Sequence, residues 1–343
     1  MKVWALKDDF GLENLRVDER PRPLPQRGQV LLAMKAASLN YRDTIIVEGG
    51  FGPRVQTPLI PVSDGVGIVA AVGEGVGRVK VGDRVAPLFS QSWFGGPARQ
   101  SKFRAMLGGP IDGVLAEFMC LDEQGVSIVP RHLSDEEAAC LPCAGLTAWS
   151  ALAENGQVGP NDTVLVQGTG GVGLFCLQFA KAMGARVIMI SSSDEKLDRA
   201  RHLGADETIN YRKTPDWDRT VKDLTDGEGC DHVMELGGAE TLERSIRAVR
   251  IGGQISLIGV LSGAVAKTTL PLVVMRNIRL QGVTVGSRDG FETMSRAMTN
   301  HGIRPVVDRI YGFGQVREAF LRLKGARHFG KVCIRLAEPK SPG

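Results

Sequence analysis

The chain has 343 residues, 43% of them hydrophobic and 23% charged, which is enough for two domains with a substantial core. A net charge of +4 with both signs interspersed and no run of like charge argues against a nucleic-acid surface. No apolar run reaches membrane-spanning length and Met1–Phe10 reads as a folded strand rather than a leader, so the expectation is a cytoplasmic protein with a small-molecule substrate, no nucleic-acid partner and no membrane partner.

From Met1 to about Asp122 the signals are strands and turns. Gln29–Ala37 reads as a largely buried strand, and Gly67–Gly73 as another that ends in the Gly-rich turn Gly73–Gly77. Val81-Gly82-Asp83-Arg84-Val85 is a tight turn feeding a further strand. Short strands separated by glycine turns predict a small barrel or sandwich. Near Leu133 the pattern changes: Ser134-Asp135-Glu136-Glu137 is a capping box, and an Ala-rich helix should follow. From Thr163 strands and helices alternate. The strands are Thr163–Val166, Arg186–Ile190, His232–Leu236, Gln254–Ile258 and Arg279–Val285, with amphipathic helices such as Asp194–Leu203 and Thr241–Val249 between them. That alternation predicts a parallel sheet covered on both faces. After Arg304, a helix over Gly314–Lys324 and a strand over Gly330–Leu336 break the alternation and predict a return to the first domain.

The segment richest in chemistry is Val164-Leu165-Val166-Gln167 running into Gly168-Thr169-Gly170-Gly171-Val172-Gly173, with a helix-compatible run Leu174–Met183 behind it. Strand, Gly-x-Gly-x-x-Gly, helix is the order that a dinucleotide diphosphate requires. The first glycine permits the turn, the second lets the backbone approach the diphosphate, and the third lets helix and strand pack closely. The N–H groups at the helix start then face the negative charge.

Taken together, Asn40-Tyr41-Arg42-Asp43, the Gly73–Val85 segment, Leu141-Pro142-Cys143-Ala144-Gly145-Leu146-Thr147-Ala148, the Gly168–Gly173 loop, Leu203-Gly204-Ala205-Asp206 and the terminal Phe329-Gly330-Lys331-Val332 resemble the medium-chain dehydrogenase/reductase family over the whole chain. The resemblance implies an α/β protein: a GroES-like β-barrel catalytic domain over residues 1–126 and 302–343, with an inserted doubly wound Rossmann domain over 127–301 and the active site in the cleft between them. Within the family the chain looks like the zinc-free, quinone-oxidoreductase-like branch. Zinc-dependent members carry Cys where this chain has Asn40, and His-Glu where it has Ser63-Asp64. Only Cys143 matches a ligand position, and a catalytic zinc needs three protein ligands. The stretch Gln91–Gly113 lacks the four cysteines of the family's structural-zinc loop, so no metal is expected. The five histidines show no ligand spacing, and the six cysteines read as buried, reduced thiols.

NAD readers usually end the second strand of the nucleotide fold on a carboxylate. Here that strand ends in Ser191-Ser192-Ser193, with Lys196 one turn on and Tyr211 in Ile209-Asn210-Tyr211-Arg212. A carboxylate would repel a 2′-phosphate and hydroxyls would not, so NADPH is expected in preference to NADH. The resemblance gathers Ser192, Lys196 and Tyr211 around that phosphate. Thr147, Gly259, Val260, Ser287 and Lys331 are the further candidates for cofactor contact. Without zinc to polarise a carbonyl, an acceptor that spreads incoming charge is favoured, namely a quinone or an α,β-unsaturated carbonyl. Asn40 is the candidate oxyanion donor and Tyr41 the candidate proton relay. Ser63 and Asp64 would complete a polar wall, with Trp93 and Phe94 as an apolar face. The rival readings are a zinc-dependent alcohol dehydrogenase and a non-enzymatic NADPH-binding redox sensor. The strand Arg279–Val285, as an edge, predicts a homodimer.

Overall fold

A computed structural model describes residues 1–336. The chain forms two compact units: Met1–Leu146 with the residues from Ser287 onward, and Thr147–Gly286.

In the first unit the strand Gln29–Ser38 is central. One edge pairs antiparallel with Asp64–Val72. The other edge is shared, first with Phe118–Asp122 and then with Lys331–Arg335. The sheet runs on through Arg84–Pro87 and Val126–Ile128 at one side and Val307–Gly312 at the other. The return of the chain's end to this unit, expected from the broken alternation, is therefore a strand pairing. Its register, Cys333 opposite Ser38, decides which side chains meet further along. The core beneath holds Leu32, Met34, Val69, Val85, Phe320 and Ile334, all buried.

In the second unit six parallel strands lie in the order Glu207–Asn210, Arg186–Ser191, Thr163–Gln167, Cys230–Glu235, Val249–Leu257, Arg279–Gly282. This is the doubly wound arrangement, and strand order reverses between Thr163–Gln167 and Cys230–Glu235. Ligands bind such sheets beyond the carboxyl ends of the strands at that reversal. Leu165, Ile188, Val233 and Ile255 fill the sheet's interior, as the unbroken apolar strand runs require.

Three expectations change. The boundaries move from 126/127 and 301/302 to 146/147 and 286/287. The reason is a helix, Arg288–His301, which the sequence reading overlooked. Ser287 caps it, Phe291, Met294 and Met298 are buried, and its start is tied to Trp93 O and Phe94 O of the first unit. The helix expected after Ser134 is also not a single one. The capping box forms, but the α-helix runs only Asp135–Ala138 and gives way to wider turns at Leu141–Gly145, where Pro142 lacks an N–H to donate. The last strand of the second unit ends at Gly282, three residues short of the expected Val285.

Candidate active site

The register of the returning strand builds the first cluster. With Cys333 opposite Ser38, Lys331 falls opposite Asn40, and Leu39 N–H donates to Val332 O at 2.9 Å. Ser38 also lies opposite Asp64 on its other neighbour. Three segments far apart in sequence thus bring Asn40, Ser63, Asp64 and Lys331 together. Lys331 is only 3% exposed; its Nζ donates to Leu39 O at 2.7 Å and to Asn40 Oδ1 at 2.5 Å. Asp64 accepts from Ser63 Oγ at 2.8 Å and from Cys143 N–H at 3.0 Å. Asp43 accepts from Asn40 N–H at 2.8 Å. Asn40 Nδ2 is buried and turned toward Asp64 without completing a hydrogen bond.

Burial dominates the electrostatics. It raises the Asp43 carboxyl to about 6, against the opposing pull of Arg42. It raises Asp64 as well, although Lys331 and the hydrogen bonds oppose the shift. It also pushes the Cys143 thiol up, and the Asp64 charge adds to that. The two buried carboxyls also act on each other, Asp64 raising Asp43, while Arg42 at 3.7 Å and Lys331 oppose the shift.

Of the four expected catalytic residues, Asn40, Ser63 and Asp64 are buried in this cluster, whereas Tyr41 is 48% exposed at the start of the helix Tyr41–Val47. Lys331, expected beside the cofactor, donates to Leu39 O and Asn40 Oδ1. Trp93 and Phe94 are held by local contacts: the Trp93 indole donates to Gly96 O and stacks edge-on with Phe103, and Arg288 covers Phe94. All six cysteines are free. The expectation of no Cys-x-x-Cys pair is wrong, since Cys140-Leu141-Pro142-Cys143 has that spacing, but the fold separates their partners: Cys140 Sγ faces Cys333 Sγ at 3.5 Å, and Cys143 N–H donates to Asp64. Among the described residues no group of three or more His, Cys, Asp or Glu is arranged to hold a metal.

The second cluster lies in the other unit. Gly168 has φ +79°, the left-handed region where glycine is at no disadvantage. A Cβ on Gly173 would stand 2.1 Å from Gly168 O, so the loop closes on the helix Gly171–Ala182 only with glycine there. Gly170 precedes that helix, and no side chain caps its first N–H groups. A cavity of about 420 Å³ opens beside the loop, lined among others by Gly168, Ile190, Tyr211, Trp217, Arg244 and Ser262. Of the expected cofactor residues, Gly168 and Tyr211 line it. Ser191 is buried at its strand's end, and Ser193 caps the next helix by accepting from Lys196 N–H at 3.4 Å. Thr147 is buried and donates to Thr284 O at 3.2 Å. Ser287 belongs to the first unit, where its Oγ accepts from Gly290 N–H.

The sequence reading missed the group beneath this cavity. Glu235 ends the strand Cys230–Glu235 and is fully buried, held by neutral donors. Its carboxylate accepts from Gly237 N–H and Gly238 N–H at 2.9 Å each, from Thr241 Oγ1 at 2.5 Å, from Gln167 Nε2 at 2.8 Å and from Ser245 Oγ. Gln167 Oε1 in turn accepts from Leu236 N–H and Gly237 N–H. The pair bridges the two strands at the reversal of strand order and shapes the loop behind it. The available signal was Glu235-Leu236-Gly237-Gly238, a carboxylate and a glycine pair closing an apolar strand. A larger cavity of about 890 Å³ in the first unit, lined by Arg78, His132 and Arg296 among others, contains none of the candidate residues.

Residues 26–131 match the alcohol dehydrogenase GroES-like domain and residues 171–300 the zinc-binding dehydrogenase domain. A zinc-type alcohol dehydrogenase-like protein of Schizosaccharomyces pombe is 40% identical over 97% of this chain and 99% of its own length. Among solved structures, one from Sinorhizobium meliloti 1021 named as an alcohol dehydrogenase is 42% identical, with a TM-score of 0.92 over 97% of this chain and 98% of that one. An NAD-dependent alcohol dehydrogenase is 33% identical, TM-score 0.90, over 98% and 100%. The crotonyl-CoA carboxylase/reductase AntE in complex with NADP is 26% identical, TM-score 0.89, over 98% and 95%. The chain belongs to the medium-chain dehydrogenase/reductase family. It is an NAD(P)-dependent oxidoreductase of that family, with a GroES-like unit and a Rossmann-type unit.

Proposed function

We propose that this oxidoreductase uses NADPH to reduce a conjugated acceptor, a quinone or an α,β-unsaturated carbonyl, without a catalytic zinc. The observation that carries the reading is the buried contact between Lys331 Nζ and Asn40 Oδ1 at 2.5 Å. A zinc ion requires lone pairs from three protein ligands. The Asn40 oxygen is already taken by an ammonium, whose charge also opposes a second cation. The Cys143 thiol is pushed up, away from the thiolate that binds metal. The Ser63 hydroxyl is committed to Asp64. This donor set does not fit zinc, and it fits hydrogen-bond catalysis.

NADPH, when bound, supplies a hydride to one end of the conjugated system. The residues of the chain then act on the oxygen at the other end. Asn40 Nδ2 donates to that oxygen as charge develops there. A preorganised donor of this kind is worth about 10²–10³ in rate. Tyr41, half exposed, relays the proton that completes the reduction. Ser63 and Asp64 fix the polar wall behind Asn40.

The preference for the phosphorylated cofactor rests on Ser191, Ser192, Lys196 and Tyr211. Asp194, a carboxylate beside Ser193 that would oppose a phosphate, is engaged by Asn210 at 2.7 Å and Lys213 at 2.6 Å. Gly168, Thr169, Gly170, Gly171, Val172 and Gly173 hold the diphosphate, and Thr147, Gly259, Val260 and Ser287 serve the nicotinamide end. A homodimer is part of the same proposal. Arg279–Gly282 is an exposed sheet edge, and exposed Leu270, Val274 and Met275 of the same unit precede it in sequence. A monomer mass by light scattering overturns it.

The deciding experiment follows oxidation of NADPH and NADH with cyclohexenone and menadione, and reduction of NADP and NAD with simple alcohols, on protein whose metal content has been measured. Turnover of the conjugated acceptors with NADPH, unaffected by chelator, is the expected result. Alcohol oxidation that rises with one bound zinc per chain overturns it.

A further inference from the structure

An asparagine amide is close to symmetric in shape, and its two ends are opposite in function: Oδ1 accepts and Nδ2 donates. If Asn40 is to stabilise negative charge on a substrate oxygen, the amide must be held with nitrogen outward. A flipped amide would present an acceptor and repel the charge. The choice is made in this fold chiefly by Lys331. The Lys331 ammonium is donor-only. It is 3% exposed and fixed by its bond to Leu39 O at 2.7 Å, so only Asn40 Oδ1 can face it, at 2.5 Å. The backbone supplies the geometry. Leu39 N–H to Val332 O closes the antiparallel ladder one step before the pair. The Asn40 backbone N–H is anchored to Asp43 Oδ2 at 2.8 Å, which fixes the backbone from which the amide projects. What remains on Asn40 is Nδ2, buried and without a completed hydrogen bond. Leaving a buried donor unmade is costly, and such exceptions call for an explanation.

We propose that Lys331 is a positioning residue: it sets the rotamer of the Asn40 amide so that Nδ2, not Oδ1, is presented to the substrate oxygen. This rests on the reading of Asn40 as the oxyanion donor. It assigns Lys331 to the catalytic step rather than to cofactor binding, and it explains why a cation is buried at the end of the returning strand. Asp64, which feels the Lys331 charge, faces the Nδ2 side and adds to the bias.

The test is a cycle of Asn40→Ala, Lys331→Met and the double variant, read as kcat and KM with cyclohexenone and as NADPH Kd by fluorescence. The expected result is a kcat loss of about 10- to 100-fold for Lys331→Met, part of the roughly 10²–10³ of a removed donor because the amide still reaches its donating rotamer some of the time. NADPH Kd should stay within about twofold, and the double variant should be no slower than Asn40→Ala alone, as for residues that act as a unit. Multiplying losses, or weaker NADPH binding with kcat retained, overturn the proposal while leaving Asn40 as donor. If Asn40→Ala keeps full kcat and KM, the donor reading fails and the proposal with it. If Lys331→Met does not fold, Lys331→Arg and Lys331→Gln decide. Arginine, also donor-only, should retain kcat to within about threefold, and glutamine, which can offer its own oxygen to the amide, should not. Equal kcat for the two variants overturns the proposal.

Discussion

Both units bury carboxylates at their candidate sites, and they satisfy them by different means. In the second unit Glu235 is surrounded by neutral donors: two backbone N–H groups, two hydroxyls and one amide. Every lone pair has a partner and the group is finished. In the first unit Asp43 faces the Arg42 guanidinium at 3.7 Å, both Asp43 and Asp64 feel the Lys331 ammonium, and neither Asp43 Oδ1 nor Asn40 Nδ2 completes a hydrogen bond. A completed network fixes a shape, and the shape here is that of the turn after Glu235, beside the cavity of about 420 Å³. An incomplete one stores polar capacity that a substrate can use, at a cost in stability. On the proposed function, the first unit is where the chemistry belongs and the second is where binding belongs.

The largest test of this contrast is Glu235→Ala. It strips the acceptor from Gln167, Thr241, Ser245 and two backbone N–H groups at once, and each buried orphan costs about 1–3 kcal/mol. Partial repair by water and relaxation leaves an expected loss of about 3–5 kcal/mol in denaturant unfolding. A loss below about 1 kcal/mol would show that the network is not the closed unit described. Next in size is Asp43→Asn. The carboxyl titrates at 3.8 unfolded and at about 6 folded. Between those values the folded state binds more protons, so Asp43 lowers stability as pH rises through that window. About two units correspond to about 3 kcal/mol. The variant should therefore gain on the wild type by up to about that amount between pH ~4 and ~7, measured as the difference between their unfolding free energies. A constant difference across that range would mean that the first unit's carboxylate is as well satisfied as Glu235.

The two regions also differed in how far they could be read from sequence. The glycine loop was legible because its demands are local: strand, glycines and helix are contiguous, and the reasons for Gly168, with φ +79°, and for Gly173, with no room for a Cβ, are visible in three dimensions. The apolar strand runs gave the parallel sheet for the same reason. The Asn40 cluster was half legible. Asn40 and Ser63-Asp64 were marked as places where metal ligands would stand, but Lys331 is 291 residues from Asn40 and is delivered by a strand register that no local pattern encodes. Glu235 was missed because a carboxylate in an apolar strand is intelligible only when its five donors are seen together. The helix Arg288–His301 had a visible signal in Ser287 and the spacing of Phe291, Met294 and Met298. It was overlooked because the alternation of strands and helices led the reading to carry the second domain on to residue 301.

If the second unit only binds, changes there should move cofactor affinity and leave the chemical step alone. Gly173→Ala places a methyl 2.1 Å from Gly168 O, so the loop must shift. Overpacking of this kind costs about 1–3 kcal/mol, or roughly 10- to 100-fold in Kd for either dinucleotide, with kcat at saturation unchanged. Lys196→Ala is the finest cut. A hydrogen bond to a charged group contributes about 1.5–3 kcal/mol, and an exposed one less, so NADPH affinity should fall by about tenfold. NADH, lacking the 2′-phosphate, should bind as before, and kcat with saturating NADPH should hold. Equal losses for both cofactors would mean that Lys196 supports the fold of its helix and not the phosphate. A fall in kcat with Kd unchanged would break the division of labour between the two units altogether.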